Sequence, residues 1–323
     1  FPIGGIGAGN IFLQGDGTLG QFTIVNQCRE ETEMVACMPA CFFAMSTSSG
    51  KNFVLSAPTT YDIQSYRKQS LHSVRRLQNL PGVSSLRITA KYPIATTEYE
   101  INNCEIDVSM EASSPLVPND VKNSSLPIAV FTFTLKNTSS TKQTVRILQS
   151  QQNIVGWKGH ADCTSGHCDS WGGNEQAVHI SSENKGYGGI IFENSSLASS
   201  DEYFGNLTLS SIPTSSSSKT SVIVSAVDEN DVWKQFVNSS DIDIENAKPS
   251  KVSSPKSSWS AAVVQTVDVD ANSTSTVSFA LSWYFPNRMR ETSVGTNYDT
   301  ILPSRPGNSY NNTFSNSADV VTY

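Results

Sequence analysis

Charge is scarce in this chain. Only 16% of its 323 residues are Asp, Glu, Lys or Arg, with 22 basic against 29 acidic groups and a formal net charge of −7. The longest basic run is Arg75-Arg76. A phosphate backbone is held by clustered Lys and Arg, so nucleic acid is excluded as a partner. Long apolar runs are missing too: no window reaches the roughly 18 uninterrupted apolar residues of a membrane-crossing helix, which excludes a helical membrane span. Histidine occurs only four times, and no G-x-S-x-G string is present, so the strained turn that carries an α/β-hydrolase nucleophile is absent. Hydrophobic residues make up 37%, low for a globular domain. The length still allows a sizeable core, in one large domain or two ordinary ones.

What is present is Ser and Thr, about a quarter of all residues, and short alternating runs between Gly, Pro, Asn and Ser. Residues 86–92, 97–101, 104–110, 128–135, 145–148, 221–224, 261–267 and 276–281 alternate or are rich in β-branched and aromatic side chains. Such segments form half-buried strands with one face inward and one wet. Many of them at short spacing predict an all-β fold, a large two-sheet antiparallel β-sandwich with long surface loops. One short helix is expected near residues 230–237, with Val232, Trp233, Phe236 and Val237 on its apolar side. Residues 210–220 and 248–258 are of low complexity and read as surface loops.

Several motifs invite chemistry. Gly15-Asp16-Gly17-Thr18-Leu19-Gly20 fits G-x-G-x-x-G, but a dinucleotide site needs a helix next. Residues 21–25 read instead as a strand, so the motif is a tight hairpin turn. The glycines of Gly4-Gly5-Ile6-Gly7-Ala8-Gly9 imply close backbone packing or positive φ. His160-Ala161-Asp162-Cys163-Thr164-Ser165-Gly166-His167-Cys168 offers ligand types that zinc accepts. The preferred reading is a small Cys163–Cys168 disulfide, with no metal and no cofactor. Trp157 and Trp171 flank that loop and are candidates for sugar or interdomain contact. Asp241-Ile242-Asp243-Ile244-Glu245 lacks the glycine of a calcium loop and reads as a solvated edge. Glu30-Glu31-Thr32-Glu33 and Asp268-Val269-Asp270 read as wet faces or turns, so no catalytic residue is assigned.

Six cysteines, Cys28, Cys37, Cys41, Cys104, Cys163 and Cys168, suit disulfides; the first four, besides Cys163–Cys168, allow three pairings. Seven N-x-S/T sequons stand at Asn123, Asn137, Asn194, Asn206, Asn238, Asn272 and Asn311. Composition alone accounts for about that number, so their polar, turn-like settings carry the weight. The expectation is a secreted or lumenal glycoprotein with N-linked glycans. The chain opens at Phe1 without Met or a signal-peptide pattern and is expected to be processed or partial. Residues 317–323 read as a first helical turn with Ser317 at the N-cap, and continuation past Tyr323 is expected.

Three segments together carry a resemblance. They are Pro2-Ile3-Gly4-Gly5-Ile6-Gly7-Ala8-Gly9-Asn10-Ile11 with Gly20-Gln21-Phe22, then residues 124–131, Lys136-Asn137 and Asn153-Ile154-Val155-Gly156, and finally residues 279–288 with Asn297-Tyr298 and Phe314. In order and span the chain resembles the N-terminal domain of glycoside hydrolase family 116, the family of bile-acid β-glucosidase or non-lysosomal glucosylceramidase. The resemblance implies a sandwich over residues 1–316, with 317–323 starting a helical link toward an (α/α)₆ catalytic domain. That domain, in the same precursor or as a cleaved chain, carries the family's catalytic Glu and Asp, and no position here corresponds to either. The implied function is a non-catalytic domain bracing a retaining β-glucosidase; this chain alone is expected to be inactive. The other reading is an extracellular structural or carbohydrate-binding glycoprotein that has the sandwich without the enzyme.

Overall fold

The computed structural model of the protein describes residues 1–26, 40–57, 77, 79–157, 171–180, 188–212, 218–288 and 307–323. Among them, seventeen strands form three antiparallel sheets. A small sheet joins β1 (Pro2–Ile3), β2 (Ile11–Leu13) and β3 (Leu19–Gly20). A six-stranded sheet runs β15 (Ile242–Asp243), β14 (Lys219–Ala226), β16 (Ser260–Val269), β10 (Gln143–Gln152), β4 (Phe43–Thr47), β5 (Asn52–Val54). An eight-stranded sheet runs β11 (Asn174–Ile180), β12 (Gly188–Asn194), β13 (Asn206–Ile212), β17 (Thr274–Tyr284), β9 (Ile128–Asn137), β8 (Ile106–Ser113), β7 (Ile94–Glu100), β6 (Ser85–Lys91).

The two large sheets pack face to face because their alternating residues point the same way. On β9, Ala129, Phe131, Phe133 and Leu135 are fully buried while Thr132 and Thr134 stay half-buried on the other face. β17 pairs with it in a register that sets Phe279 beside Phe131 and Val277 beside Phe133. From the opposite sheet, Phe43 of β4 meets Phe131 and Phe133 at ring-centroid distances of 5.1 and 5.3 Å, and Phe133 meets Phe279 edge-on at 6.1 Å. Each such ring pair adds about 0.5–1.5 kcal/mol beyond area burial. The sandwich is therefore the fold that the alternation predicts.

Among the described residues, α1 (Val121–Ser124) was not foreseen, and α2 (Glu229–Val237) and α3 (Ser317–Thr322) stand where helix was expected. α2 starts where Asp228 accepts a 2.9 Å bond from the Asp231 amide, and its Val232 and Phe236 pack with Leu148, Ile223 and Val264 on the outer face of the six-stranded sheet. α3 is capped by Asn316, not Ser317: the Asn316 Oδ1 accepts from the amides of Ala318 (2.8 Å) and Asp319 (3.0 Å). Ser317 is instead buried, its hydroxyl 2.7 Å from that of Thr208.

Other expectations are corrected too. No strand follows Gly20; Gln21 takes φ of 49° and the chain leaves the sheet. The small sheet is additional to the two sheets of the expected sandwich. Residues 210–212 belong to β13 and 219–220 to β14 rather than to a loop. Ser210 and Ser211 are buried there because both their hydroxyls donate to the Gly188 carbonyl, at 3.3 and 3.0 Å. Residues 248–258 do form an irregular segment as expected.

Asp241 is no solvated edge. Its carboxylate forms a close ion pair with Arg146 and accepts a short bond from the Ser221 hydroxyl, with side chains only 9% and 15% exposed for Asp241 and Arg146. The guanidinium also donates to the Phe236 carbonyl and Ser239 hydroxyl, both at 3.0 Å, and lies 4.7 Å from the Phe236 ring centroid. The clamp fastens the end of α2 to β10 and β14.

Candidate functional site

Glycoside hydrolysis with retention needs two carboxyl groups flanking one glycosidic bond, about 5–5.5 Å apart. Several described carboxylates have other employment. Asp268 sits 2.9 Å from Lys142, which holds its carboxyl below the usual range, and Asp270 lies 3.9 Å from the same ammonium. Asp243 is held likewise by Lys219 at 2.9 Å. Asp120 caps α1, accepting from the Asn123 amide at 3.0 Å. Glu30, Glu31 and Glu33 lie outside the described residues.

One pair is set side by side by strand register, and sequence reasoning missed it. Glu175 of β11 and Glu193 of β12 stand opposite each other in register. The Asn153 side chain donates to both backbone carbonyls, at 3.0 Å to Glu175 and 2.9 Å to Glu193. Partial burial, then the Glu175 charge, raise the Glu193 carboxyl above its ordinary value. Both side chains leave the sheet on the face opposite Ile190 and Phe192, whose rings and methyls enter the core. Opposed residues on antiparallel strands point the same way. Both therefore stand on one face of the sheet, side by side.

On that face His179 has no hydrogen-bond partner for its Nε2 among the described residues. Burial lowers its pKa from the ordinary 6.5, and Asp319 opposes the shift. The unfolded chain then binds more protons below 6.5, so stability falls as pH drops through that value. Thermal midpoints measured between about pH 7 and pH 5.5 should decline, and His179→Gln should flatten that decline. An unchanged slope in the variant would contradict this assignment.

Trp157 and Trp171 are buried members of the sandwich core, 5% and 4% exposed. Neither presents a ring face for a sugar. The nearby polar seam explains their seating: Asn174 donates to the Asn153 Oδ1 (3.1 Å) and the Val155 carbonyl (2.8 Å), and the Ser258 hydroxyl donates to the Asn153 carbonyl at 2.6 Å. His160, Cys163, His167 and Cys168 lie outside the described residues, as do Cys28 and Cys37. Cys41 and Cys104 carry free thiols, and burial pushes that of Cys41 up to about 12.

The seven sequon asparagines divide by burial. Asn137 is fully buried and donates to the carbonyls of Thr141, Val269 and Asp270. Asn194 donates to Val155 and Gly172 carbonyls. Asn311 donates to the Pro286 carbonyl at 2.9 Å, Asn206 accepts from the Ser317 amide at 2.8 Å, and Asn123 is half-buried in α1. Asn238, at the end of α2, and Asn272, in the β16–β17 turn, are exposed. If the protein passes through a glycosylating compartment, peptide mapping after enzymatic deglycosylation should find glycans at Asn238 and Asn272 and none at Asn137 or Asn194. A glycan on Asn137 in folded protein would contradict this.

The remaining constellation is a surface. Ala8, Leu126, Ile128, Ala280, Tyr310, Phe314, Val320 and Val321 form an apolar cluster of their own on the outer face of the eight-stranded sheet, beneath α3. Trp283 Nε1 donates to the Ala8 carbonyl at 2.7 Å, tying the glycine turn to β17. The turn presses on the segment before β9: the Ile6 amide donates to the Ser124 carbonyl at 2.8 Å, and a Cβ on Gly5 would lie 2.3 Å from the Leu126 carbonyl oxygen. Only glycine fits there. Lys122 of α1 places its ammonium 4.8 Å from the Tyr323 ring centroid. The N-terminal turn, α1 and α3 thus make one rigid face.

Comparison with known proteins adds the following. Among solved structures, a human-microbiome protein named as a kojibiose phosphorylase aligns at 11% identity over 59% of this chain and 18% of its own, with a TM-score of 0.28. A TPR-domain containing protein from Parabacteroides distasonis aligns at 10% identity over 91% of this chain and 49% of its own, with a TM-score of 0.33. The chain therefore spans less than half the length of either. A family model described as "beta-glucosidase 2, glycosyl-hydrolase family 116 N-term" matches residues 1–323, the whole sequence. This all-β sandwich, matched from end to end, belongs to the N-terminal domain family of glycoside hydrolase family 116.

Proposed function

We propose that this chain is the non-catalytic, bracing part of a retaining β-glucosidase whose catalytic domain, in the same precursor or as a cleaved chain, supplies both reactive carboxyl groups. Family membership over the whole sequence carries the reading. The placement of several carboxylates supports it: Asp268 and Asp243 are bound to lysines, and Glu175 and Glu193 leave the same face of one sheet. A rigid sandwich suits the role, because catalytic groups must be held within a fraction of an ångström by supporting structure. The burial of Trp157 and Trp171 gives no support to a sugar-binding platform. The same proposal places the protein in a secreted or lumenal compartment, supported by exposed sequons at Asn238 and Asn272, and with it a Cys163–Cys168 disulfide.

An aryl β-glucoside assay tests the reading. The enzyme containing this chain and its catalytic domain should turn over the substrate with retention of configuration. The 323-residue chain by itself should release no aglycone above buffer. Turnover by the chain alone would overturn the proposal.

A further inference from the structure

We propose that the face built by the glycine turn, α1 and α3 is the seat of the catalytic domain of the same hydrolase. The inference rests on the reading of this chain as the bracing part of that enzyme. Eleven large apolar side chains are exposed among the described residues, and five of them gather here: Ile6, Leu116, Val117, Val121 and Tyr323. Hydrogen bonds and ring contacts tie together the segments that carry them. Ser124, whose carbonyl accepts from Ile6, also exchanges bonds with Val117: its hydroxyl accepts from the Val117 amide and donates to the Val117 carbonyl, both at 2.9 Å. Tyr323 packs edge-on against Phe314 at 5.4 Å on one side and under Lys122 on the other. Val121 is 79% exposed in the first turn of α1, although Asp120 caps that helix and fixes it in place.

Exposed apolar residues scattered singly need no explanation, but a contiguous set with a polar rim marks an interaction surface. Here Asp120, Lys122 and Asn123 are the polar sequence neighbours of Val121. The occupant follows from two facts. The family is the N-terminal part of a glycosyl hydrolase, so a catalytic domain accompanies it. The face is apolar and exposed, the character of a surface that a companion domain covers. The face is also preorganised by the Ile6–Ser124 and Trp283–Ala8 bonds, so docking costs little ordering entropy.

Hydroxyl-radical footprinting of the enzyme containing both domains tests the seat, with Val252 and Ile242 as exposed controls remote in sequence. Ile6, Val121 and Tyr323 should lose most of their labelling, normalised for side-chain reactivity, while Val252 and Ile242 keep theirs. Val121→Asp, at an exposed position that tolerates charge, should keep the circular dichroism spectrum and split a single thermal transition into two. Full labelling of Val121 in an enzyme that still turns over an aryl β-glucoside would overturn the seat and leave the bracing role standing. Absence of turnover in the two-domain enzyme would overturn both. Protection of Val121 that vanishes on dilution would assign the face to a second copy of the chain and overturn the proposal.

Discussion

Trp283→Ala should lower the free energy of unfolding by about 3–5 kcal/mol, the range for truncating a buried Trp. The indole is fully buried in β17, at the centre of the eight-stranded sheet. Two effects combine. The cavity removes contacts within the main core, to which Trp283 belongs with Phe285 and Leu281. The loss of Nε1 also strands the buried Ala8 carbonyl, which it binds at 2.7 Å. Trp283→Phe separates the two, since it refills most of the volume and still strands the carbonyl, and should cost less. Denaturant titration reads both. If the Ala and Phe variants were equally and mildly destabilised, below about 1 kcal/mol, the indole would not anchor the N-terminal turn as described.

Asp241→Ala is expected to cost a similar amount, about 3–5 kcal/mol, because it leaves the mostly buried Arg146 guanidinium without its counter-charge. The hydrogen bond from the Ser221 hydroxyl is lost with it. The double variant Arg146→Met with Asp241→Leu removes the stranded charge and should recover much of the loss. A double variant as unstable as the single one would show that the segment after α2 is held by something other than this pair.

The sandwich was legible because its central strands obey period two with large side chains. Phe131, Phe133 and Leu135 on β9, and Val277, Phe279 and Leu281 on β17, declare an inward face by size alone. β11 to β13 were not legible. Beside Ile190, Phe192, Leu207 and Leu209, their buried positions hold Asn174, Gln176, Gly188, Ser210 and Ser211, small or polar residues that break the apolar pattern. Composition cannot distinguish these from a wet loop. Asp241 misled for the same reason: a carboxylate reads as solvated until its partner, 95 residues away, is placed beside it.

The candidate surfaces were less legible still. Trp157 and Trp171 stand beside glycines, and nothing local says that their rings turn inward. The Glu175–Glu193 pairing depends on the register of two strands that the pattern did not announce. The face around Val121 is assembled from residues 5–8, 114–126 and 314–323, which only the folded chain brings together. Family resemblance, by contrast, was carried by the glycine turn and the two central strands, where backbone packing leaves little freedom of side chain.

Under the proposed function, this sandwich supports catalysis and contributes no reacting group. The most direct measurement is the turnover of an aryl β-glucoside by the two-domain enzyme carrying Glu175→Gln and Glu193→Gln together. These are the only directly opposed carboxylates among the described strand pairings of the outer sheet strands β11 and β12. Turnover should match wild type, and relief of the like-charge contact should leave stability equal or higher. A fall of about 10²–10⁴-fold in kcat, the loss typical of a removed general acid or base, would contradict the account and place the chemistry in this chain.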